Sequence, residues 1–176
     1  MDDQDAGSTG GKEELEPRAP QMGDLAAICL RLNEVGAAYM VVGGFAIIAG
    51  GLPRATGDID LLMDTSPENE ARVFKALEIL PDRAVLQLDP GDVARYTVVR
   101  VADEIIVDLM KSACGVEYAD TAGEVVFREI EGVRIPFASP RLLWRMKAPT
   151  HREKDAVDLL FLRSYFAERG EEPPGL

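Results

Sequence analysis

Tyr39-Met40-Val41-Val42-Gly43-Gly44-Phe45-Ala46, with Pro53-Arg54-Ala55-Thr56-Gly57-Asp58-Ile59-Asp60 following it, is the stretch on which the reading of this chain turns. The apolar run Tyr39 to Val42 predicts a buried strand, and Gly43-Gly44 lets the backbone come close to a ligand. The amides that open the next short helix, Phe45 to Ala49, attract an anion such as a phosphate. Thirteen residues then separate Gly44 from Asp58. In a strand over Asp58 to Met63 the side chains alternate, so Asp58 and Asp60 share one face while Ile59, Leu61 and Met63 line the other. Two carboxylates on one face beside an anion-binding turn can hold a metal ion next to a phosphate.

Outward from this unit, Met22 to Val35 carries Leu25, Ile28, Leu32 and Val35 at helical spacing, with Gly36 as its stop. On the other side, Ser66-Pro67-Glu68-Asn69 reads as a capped helix start, and Ala71, Phe74, Leu77 and Leu80 give that helix a buried stripe before Pro81. Three strand-like runs follow at Ala84 to Leu88, Tyr96 to Val101 and Ile105 to Met110. Val125 to Ile130 and Val133 to Phe137 form a hairpin around Glu131-Gly132. Two helices close the chain, Pro140 to Lys147 and Arg152 to Phe166, the second with Val157, Leu160, Phe161 and Ser164 on one side. The expected fold is α/β (α+β): a mixed, twisted sheet of about five strands flanked by helices, with a short helical C-terminal segment closing one side.

Size and composition bound the rest. At 176 residues and 47% apolar, the chain is expected to form one domain, over residues 22–168. Residues 1–21 hold six acids and two bases among Gly and Pro, which predicts a disordered acidic tail, and residues 169–176 are expected to fray. With 31 acids against 19 bases the formal charge is −12, so no global positive field draws in nucleic acid or an anionic membrane. Any polyanion must be bound locally. No apolar stretch approaches the roughly eighteen residues of a membrane span, and Asp2, Asp3 and Asp5 stand where a secretory signal needs positive charge, so a cytoplasmic location is expected. Cys29 and Cys114 form no CxxC and have only His151 as a further soft ligand, which argues for reduced thiols and against zinc.

A third acid, Asp108, lies inside the apolar run Ile105-Ile106-Val107-Asp108-Leu109-Met110. Burying a carboxylate there is costly unless it is paired, hydrogen-bonded or on a metal. If its strand neighbours that of Asp60, three carboxylates converge near the glycine turn, a hard oxygen donor set suited to Mg²⁺ or Mn²⁺ with nucleotide phosphates completing the coordination. Blander readings stand beside this one. Gly43-Gly44 fits an ordinary turn, Asp58 a turn residue, Asp60 an exposed strand position, and Asp108 a buried acid meeting Arg95 or Arg100.

Gly43-Gly44, the gap, Asp58-Ile59-Asp60 and a later strand aspartate together resemble the DNA polymerase β-type nucleotidyltransferase superfamily. More narrowly, Val42-Gly43-Gly44-Phe45-Ala46, Pro53 to Asp60, Val107-Asp108-Leu109 and Lys147…Arg152-Glu153-Lys154-Asp155-Ala156-Val157-Asp158-Leu159 resemble the AbiEii toxin-like, minimal nucleotidyltransferases, over roughly residues 24–165. The resemblance implies a nucleotidyltransferase fold. It implies Asp58, Asp60 and Asp108 as metal ligands, Asp108 also helping to deprotonate an acceptor hydroxyl, and Gly43 and Gly44 as the seat of the triphosphate. Many superfamily members carry Ser where Gly44 stands, so this chain has only backbone amides for that task.

Arg54 and Thr56 lie on the loop before the first aspartate, where Arg54 suits a phosphate contact and Thr56 a weaker one. Arg141, Arg145, Lys147, Arg152 and Lys154 make the one clearly basic segment, which fits a solvated helix face or a local polyanion site; the resemblance raises Lys147 as a nucleotide-phosphate ligand. It also implies that Arg152, Lys154, Asp155 and Asp158 close over the active site, with one of the two acids ordering Lys147 or Arg152. Acids at 155 and 158 equally suit a helix start. His151 reads as a loop residue, and Trp144 and Phe161 as core. The implied activity is metal-dependent transfer of a nucleoside monophosphate from a nucleoside triphosphate to an acceptor hydroxyl, with a tRNA end as acceptor and an antitoxin protein as partner. A small-molecule, antibiotic-modifying nucleotidyltransferase and a catalytically silent nucleotide-binding relic are the alternatives.

Overall fold

The computed structural model describes residues 16–175. The elements run α1 (Met22–Glu34), β1 (Tyr39–Val42), α2 (Gly43–Ala49), β2 (Asp58–Met63), α3 (Pro67–Leu77), α4 (Asp92–Tyr96), β3 (Val98–Ala102), β4 (Ile106–Met110), β5 (Ser112–Ala113), β6 (Val116–Glu117), β7 (Val125–Ile130), β8 (Val133–Ala138), α5 (Pro140–Lys147) and α6 (Ala156–Glu168). Six strands form one mixed sheet in the order β3-β4-β2-β1-β8-β7, and β5 with β6 makes a separate small ribbon. The sheet has six strands rather than about five because β8 pairs parallel to β1 at Val41 and Phe137 and brings β7 with it.

All four residues of β1 are buried, so both faces of the central strand must be covered. Helix α1 packs on α3 and β8, while α2 packs on β2 and α5, and α5 on α6. In α1 the stripe Leu25, Ile28, Cys29 and Leu32 is buried at helical spacing, and the chain leaves the helix through Gly36 at φ 68°. Ser66 and Ser139 cap α3 and α5, each accepting from the backbone N–H three residues on, and Pro67 and Pro140 follow them. The β7–β8 turn places both Glu131 (φ 49°) and Gly132 (φ 78°) in the left-handed region, as a tight two-residue hairpin requires.

Three segments differ from the sequence reading. Ala84–Gln87 is a 3₁₀ turn and not a strand, because the Asp103 carboxylate accepts from Asp82 N–H at 3.0 Å and Ala84 N–H at 2.9 Å and curls the chain there. Tyr96 ends α4 and does not begin a strand: the Glu70 carboxylate accepts from Gly91 N–H at 2.6 Å, winding residues 92–96 before β3 starts at Val98. In α6 the packed side is Asp158, Leu162 and Phe166, with Val157 and Leu160 exposed, since ion pairs turn Asp158 inward.

Of the expected acidic tail, residues 1–15 lie outside the described residues. In its remainder, Arg18 forks onto Asp24 at 2.7 and 2.8 Å. In the C-terminal segment expected to fray, Glu171 N–H donates to Phe166 O and the Trp144 indole N–H to Pro174 O. Both cysteines are free. Burial pushes the Cys29 thiol up to about 12, and Cys114 Sγ donates to Met146 O at 3.0 Å. No helix among the described residues is long and apolar enough to cross a membrane.

Asn69 closes one end of the β1–β2 pair. Its side chain accepts from Ala38 N–H at 2.7 Å and donates to Ala38 O at 3.0 Å and to Asp64 O at 2.6 Å. The Asn69→Ala variant takes this partner from Ala38 N–H and Asp64 O, while Ala38 O keeps the Asp64 N–H at 3.3 Å, and should lose about 2–3 kcal/mol of stability by urea denaturation. A loss below about 0.5 kcal/mol, the size of an ordinary surface change, would show that the clamp is dispensable.

Candidate active site

At the other end of the same strand pair, register does the assembling. β1 and β2 are antiparallel with Val42 opposite Asp60, and β2 and β4 are parallel with Asp60 opposite Asp108. Asp58, two residues before Asp60, shares its face. One carboxylate oxygen from each of Asp58, Asp60 and Asp108 lies within 4.8 Å of the other two. Beside them Gly43 turns at φ 66°, and a Cβ there would overlap the Asp60 carboxylate. Only glycine allows this close approach.

The three acids differ in surroundings. Asp108 is 7% exposed and takes a two-limbed fork from Arg100 of β3, Nε to Oδ1 and Nη2 to Oδ2, both at 2.9 Å. The same Nη2 reaches Asp58 Oδ2 at 3.4 Å. Asp60 has no such partner among the described residues. Burial first, then the charges of Asp58 and Asp108, push its carboxyl up to about 7 against the opposing pull of Lys147 and Lys154. Converging oxygen donors, one of them crowded enough to hold its proton, fit a hard divalent cation.

A second charge cluster faces the first. Asp158, 1% exposed, meets Arg54 Nη2 at 2.9 Å and Lys147 Nζ at 3.0 Å, and Arg54 Nε stands 2.9 Å from its other oxygen without hydrogen-bond alignment. Asp155 meets Lys147 Nζ at 3.1 Å, Arg152 Nε at 2.8 Å and Thr150 Oγ1 at 2.8 Å. Burial acts to raise the Asp155 carboxyl, but the hydrogen bonds from Thr150, Lys147 and Arg152 outweigh it and hold the group below its usual range. Both clusters, Asp158 apart, line one cavity of about 490 Å³, together with Gly43, Gly44, Thr56 and Lys154. Val98, Met110, Ala113, Leu143 and Met146 supply its apolar lining.

Every site residue named from the sequence lines this cavity except Asp158, which lies behind it, holding Arg54 and Lys147. Of the other basic residues in the segment, Arg145 pairs with Glu124 at 2.7 Å and Arg141 is exposed. His151 is an exposed turn residue, Trp144 is buried and Phe161 packs against the core. Arg100 emerges as part of the site, where the sequence offered it only as a partner for Asp108. The signal was there: a hairpin turning at residues 103–105 sets residue 100 against residue 108.

No protein-family profile and no curated protein matches the chain. Among solved structures it is similar to ANT(2″)-Ia in complex with adenylyl-2″-tobramycin, at 17% identity over 85% of this chain and 91% of that one, with a TM-score of 0.53. It is also similar to an antigenic nucleotidyltransferase-like protein from Paracoccidioides brasiliensis, at 16% identity over 86% and 78% of the two chains, with a TM-score of 0.50. The chain has the nucleotidyltransferase fold.

Gly44 is held small by its neighbour: a Cβ there would stand 2.5 Å from Thr56 Oγ1 and 2.9 Å from Thr56 Cβ. Gly44→Ala should therefore cost about 1–3 kcal/mol by overpacking, and Thr56→Gly in the same chain should restore most of it in a double-mutant cycle of urea denaturation. Additive losses would place the strain elsewhere.

The Asp60 carboxyl binds its proton more tightly folded than unfolded, where it titrates near 4. In chelator, stability should fall as pH rises from about 4 to about 7, and the Asp60→Asn variant should lose that component of the slope. Parallel pH profiles of the two proteins, measured by urea denaturation, would contradict the elevated titration.

Proposed function

We propose that this protein is a metal-dependent nucleotidyltransferase, moving a nucleoside monophosphate from a nucleoside triphosphate to an acceptor hydroxyl. The observation that carries the reading is the meeting of Asp58, Asp60 and Asp108 within 4.8 Å of one another, beside the Gly43-Gly44 turn and opposite a cluster of cations. Asp58, Asp60 and Asp108 would hold Mg²⁺ or Mn²⁺, which when bound supplies charge neutralisation at the phosphates and a more acidic acceptor hydroxyl. Asp108 would also help to take up the acceptor hydroxyl's proton. The backbone amides of Gly43 and Gly44 receive the triphosphate, with Thr56 Oγ1 at their side.

Lys147 Nζ donates to Asp155 and lies 3.0 Å from Asp158, which leaves it N–H capacity for a phosphate oxygen. Arg54 is fixed by Asp158 and by its bond to Ala55 O at 2.7 Å, so its part is a fixed positive charge over the turn. Arg152 is fixed in the same way by Asp155. Lys154 lines the cavity with no carboxylate partner among the described residues and is the cation freest to follow the triphosphate. Asp155 and Asp158 are positioning residues: they order the cations through which the site closes. Catalysis is then mainly alignment and charge compensation.

The acceptor we favour is an RNA end, with tRNA the specific candidate and an antitoxin protein as the partner of a toxin-like enzyme; the resemblance in Gly43-Gly44, Asp58-Ile59-Asp60 and Lys154-Asp155-Ala156-Val157-Asp158 supports it. A small-molecule acceptor is the second reading, favoured by the fold shared with ANT(2″)-Ia, whose structure holds an adenylylated tobramycin.

The test incubates the protein with each α-labelled nucleoside triphosphate and Mg²⁺ or Mn²⁺, with total RNA in one arm and aminoglycosides in another. Label should appear in RNA, vanish with chelator, and fall at least about a hundredfold in Asp60→Asn and Asp108→Asn. Label in the aminoglycoside arm alone would select the second reading. Silence with every nucleotide and acceptor would leave a nucleotide-binding relic.

A further inference from the structure

We propose that Arg100 is a resident counter-cation of the carboxylate triad, bracing Asp108 and Asp58 in the metal-free protein and weakening the hold of a divalent ion on the same carboxylates. The inference rests on the metal-site reading above. Among the described residues Arg100 is the one cation in hydrogen-bonding contact with any of the three acids, through two limbs to Asp108 at 2.9 Å and one to Asp58 at 3.4 Å. Arg54, Lys147 and Arg152 are engaged on Asp155 and Asp158 instead.

The placement is built into the sheet. Arg100 faces Asp108 across the antiparallel β3–β4 pair, and Asp108 faces Asp60 across the parallel β4–β2 pair. The guanidinium therefore stays beside the triad unless its own side chain swings away, and at 56% side-chain exposure it has solvent to swing into. Asp108, by contrast, is 9% exposed at its side chain. Two consequences follow. Without metal, the guanidinium offsets repulsion among three carboxylates that strand register forces together. With metal, a divalent ion on the same carboxylates meets one extra positive charge; in water, at a separation of about 5 Å, that corresponds to roughly tenfold weaker binding.

Arg100 is a positioning residue on this account, and Mn²⁺ binding reads its role without turnover. The dissociation constant is measured from the electron paramagnetic resonance signal of free Mn²⁺ for the wild type, Arg100→Met, Arg100→Lys and Asp60→Asn, with melting temperatures in chelator and in saturating Mn²⁺. Arg100→Met should bind Mn²⁺ roughly tenfold more tightly, melt lower than wild type in chelator, and gain more from Mn²⁺. Arg100→Lys, which keeps the charge, should bind within about threefold of wild type.

Equal or weaker Mn²⁺ binding by a folded Arg100→Met protein overturns the proposal. If the wild type binds Mn²⁺ and Asp60→Asn does not, that failure falls on Arg100 alone and the enzyme reading stands. A wild type that binds no Mn²⁺ overturns both. Should Arg100→Met fail to fold by circular dichroism, Arg100→Gln carries the same comparison, since it also removes the charge.

Discussion

Strand register places like charges where they would not otherwise go. Once β2 and β4 pair in parallel with Asp60 opposite Asp108, and β2 carries Asp58 two residues earlier, three carboxylates must share one corner of the sheet. That register is fixed by burial on the other face: Ile59, Leu61, Val107 and Leu109 are all fully buried. A one-residue slip of either strand would turn its apolar side chains out of the core. The hydrophobic core thus holds the acids together against their own repulsion. Burial first, and then that repulsion, raise the carboxyl of Asp60, and Arg100 forks onto Asp108 beside it.

The opposite wall solves the reverse problem with the same means. Arg54, Lys147 and Arg152 would repel one another in a cavity of this size, and Asp155 and Asp158 sit between them at 2.8–3.1 Å. These two acids come from the start of α6 and the turn before it, so the last helix is tied to the β1–β2 connection by a buried ion pair spanning residues 54 and 158. Buried Lys147 contacts both acids, so removing one leaves it the other, while Arg54 would lose Asp158 or Arg152 would lose Asp155. Structure and site therefore share the same side chains at this wall.

What was legible in the sequence follows from how local each determinant is. Strand β1, the glycine turn and β2 are set by an apolar run, two glycines and strict alternation within about two dozen residues, and they stand where the sequence puts them. The β7–β8 hairpin is set by Glu131-Gly132 alone. Ala84 to Leu88 and the start of the run at Tyr96 read as strand from the sequence, where the local shape depends on distant carboxylates, Asp103 for the first turn and Glu70 for α4. No window around them contains both. The packed side of α6 was misassigned for another reason: its inward position 158 is an aspartate, and apolar periodicity counts a buried ion pair as surface. Arg100 was legible only as one of two partners for Asp108, because choosing it over Arg95 requires the hairpin register and the α4 turn that removes Arg95 from the strand.

Charge distribution links these local balances to the behaviour of the whole chain. Five cations line the cavity, Arg54, Arg100, Lys147, Arg152 and Lys154, against four acids, Asp58, Asp60, Asp108 and Asp155. The whole sequence carries −12. Any polyanion approaching from a distance meets a repulsive field and finds attraction only once inside, within a Debye length of about 8–10 Å at ordinary ionic strength. Added salt then has two opposing effects: it screens the long-range repulsion strongly and the partly buried pairs weakly. Such a site does not depend on steering a polyanion over the surface. It depends on short contacts made by side chains already held in place, which is why so many of its cations are tethered to carboxylates.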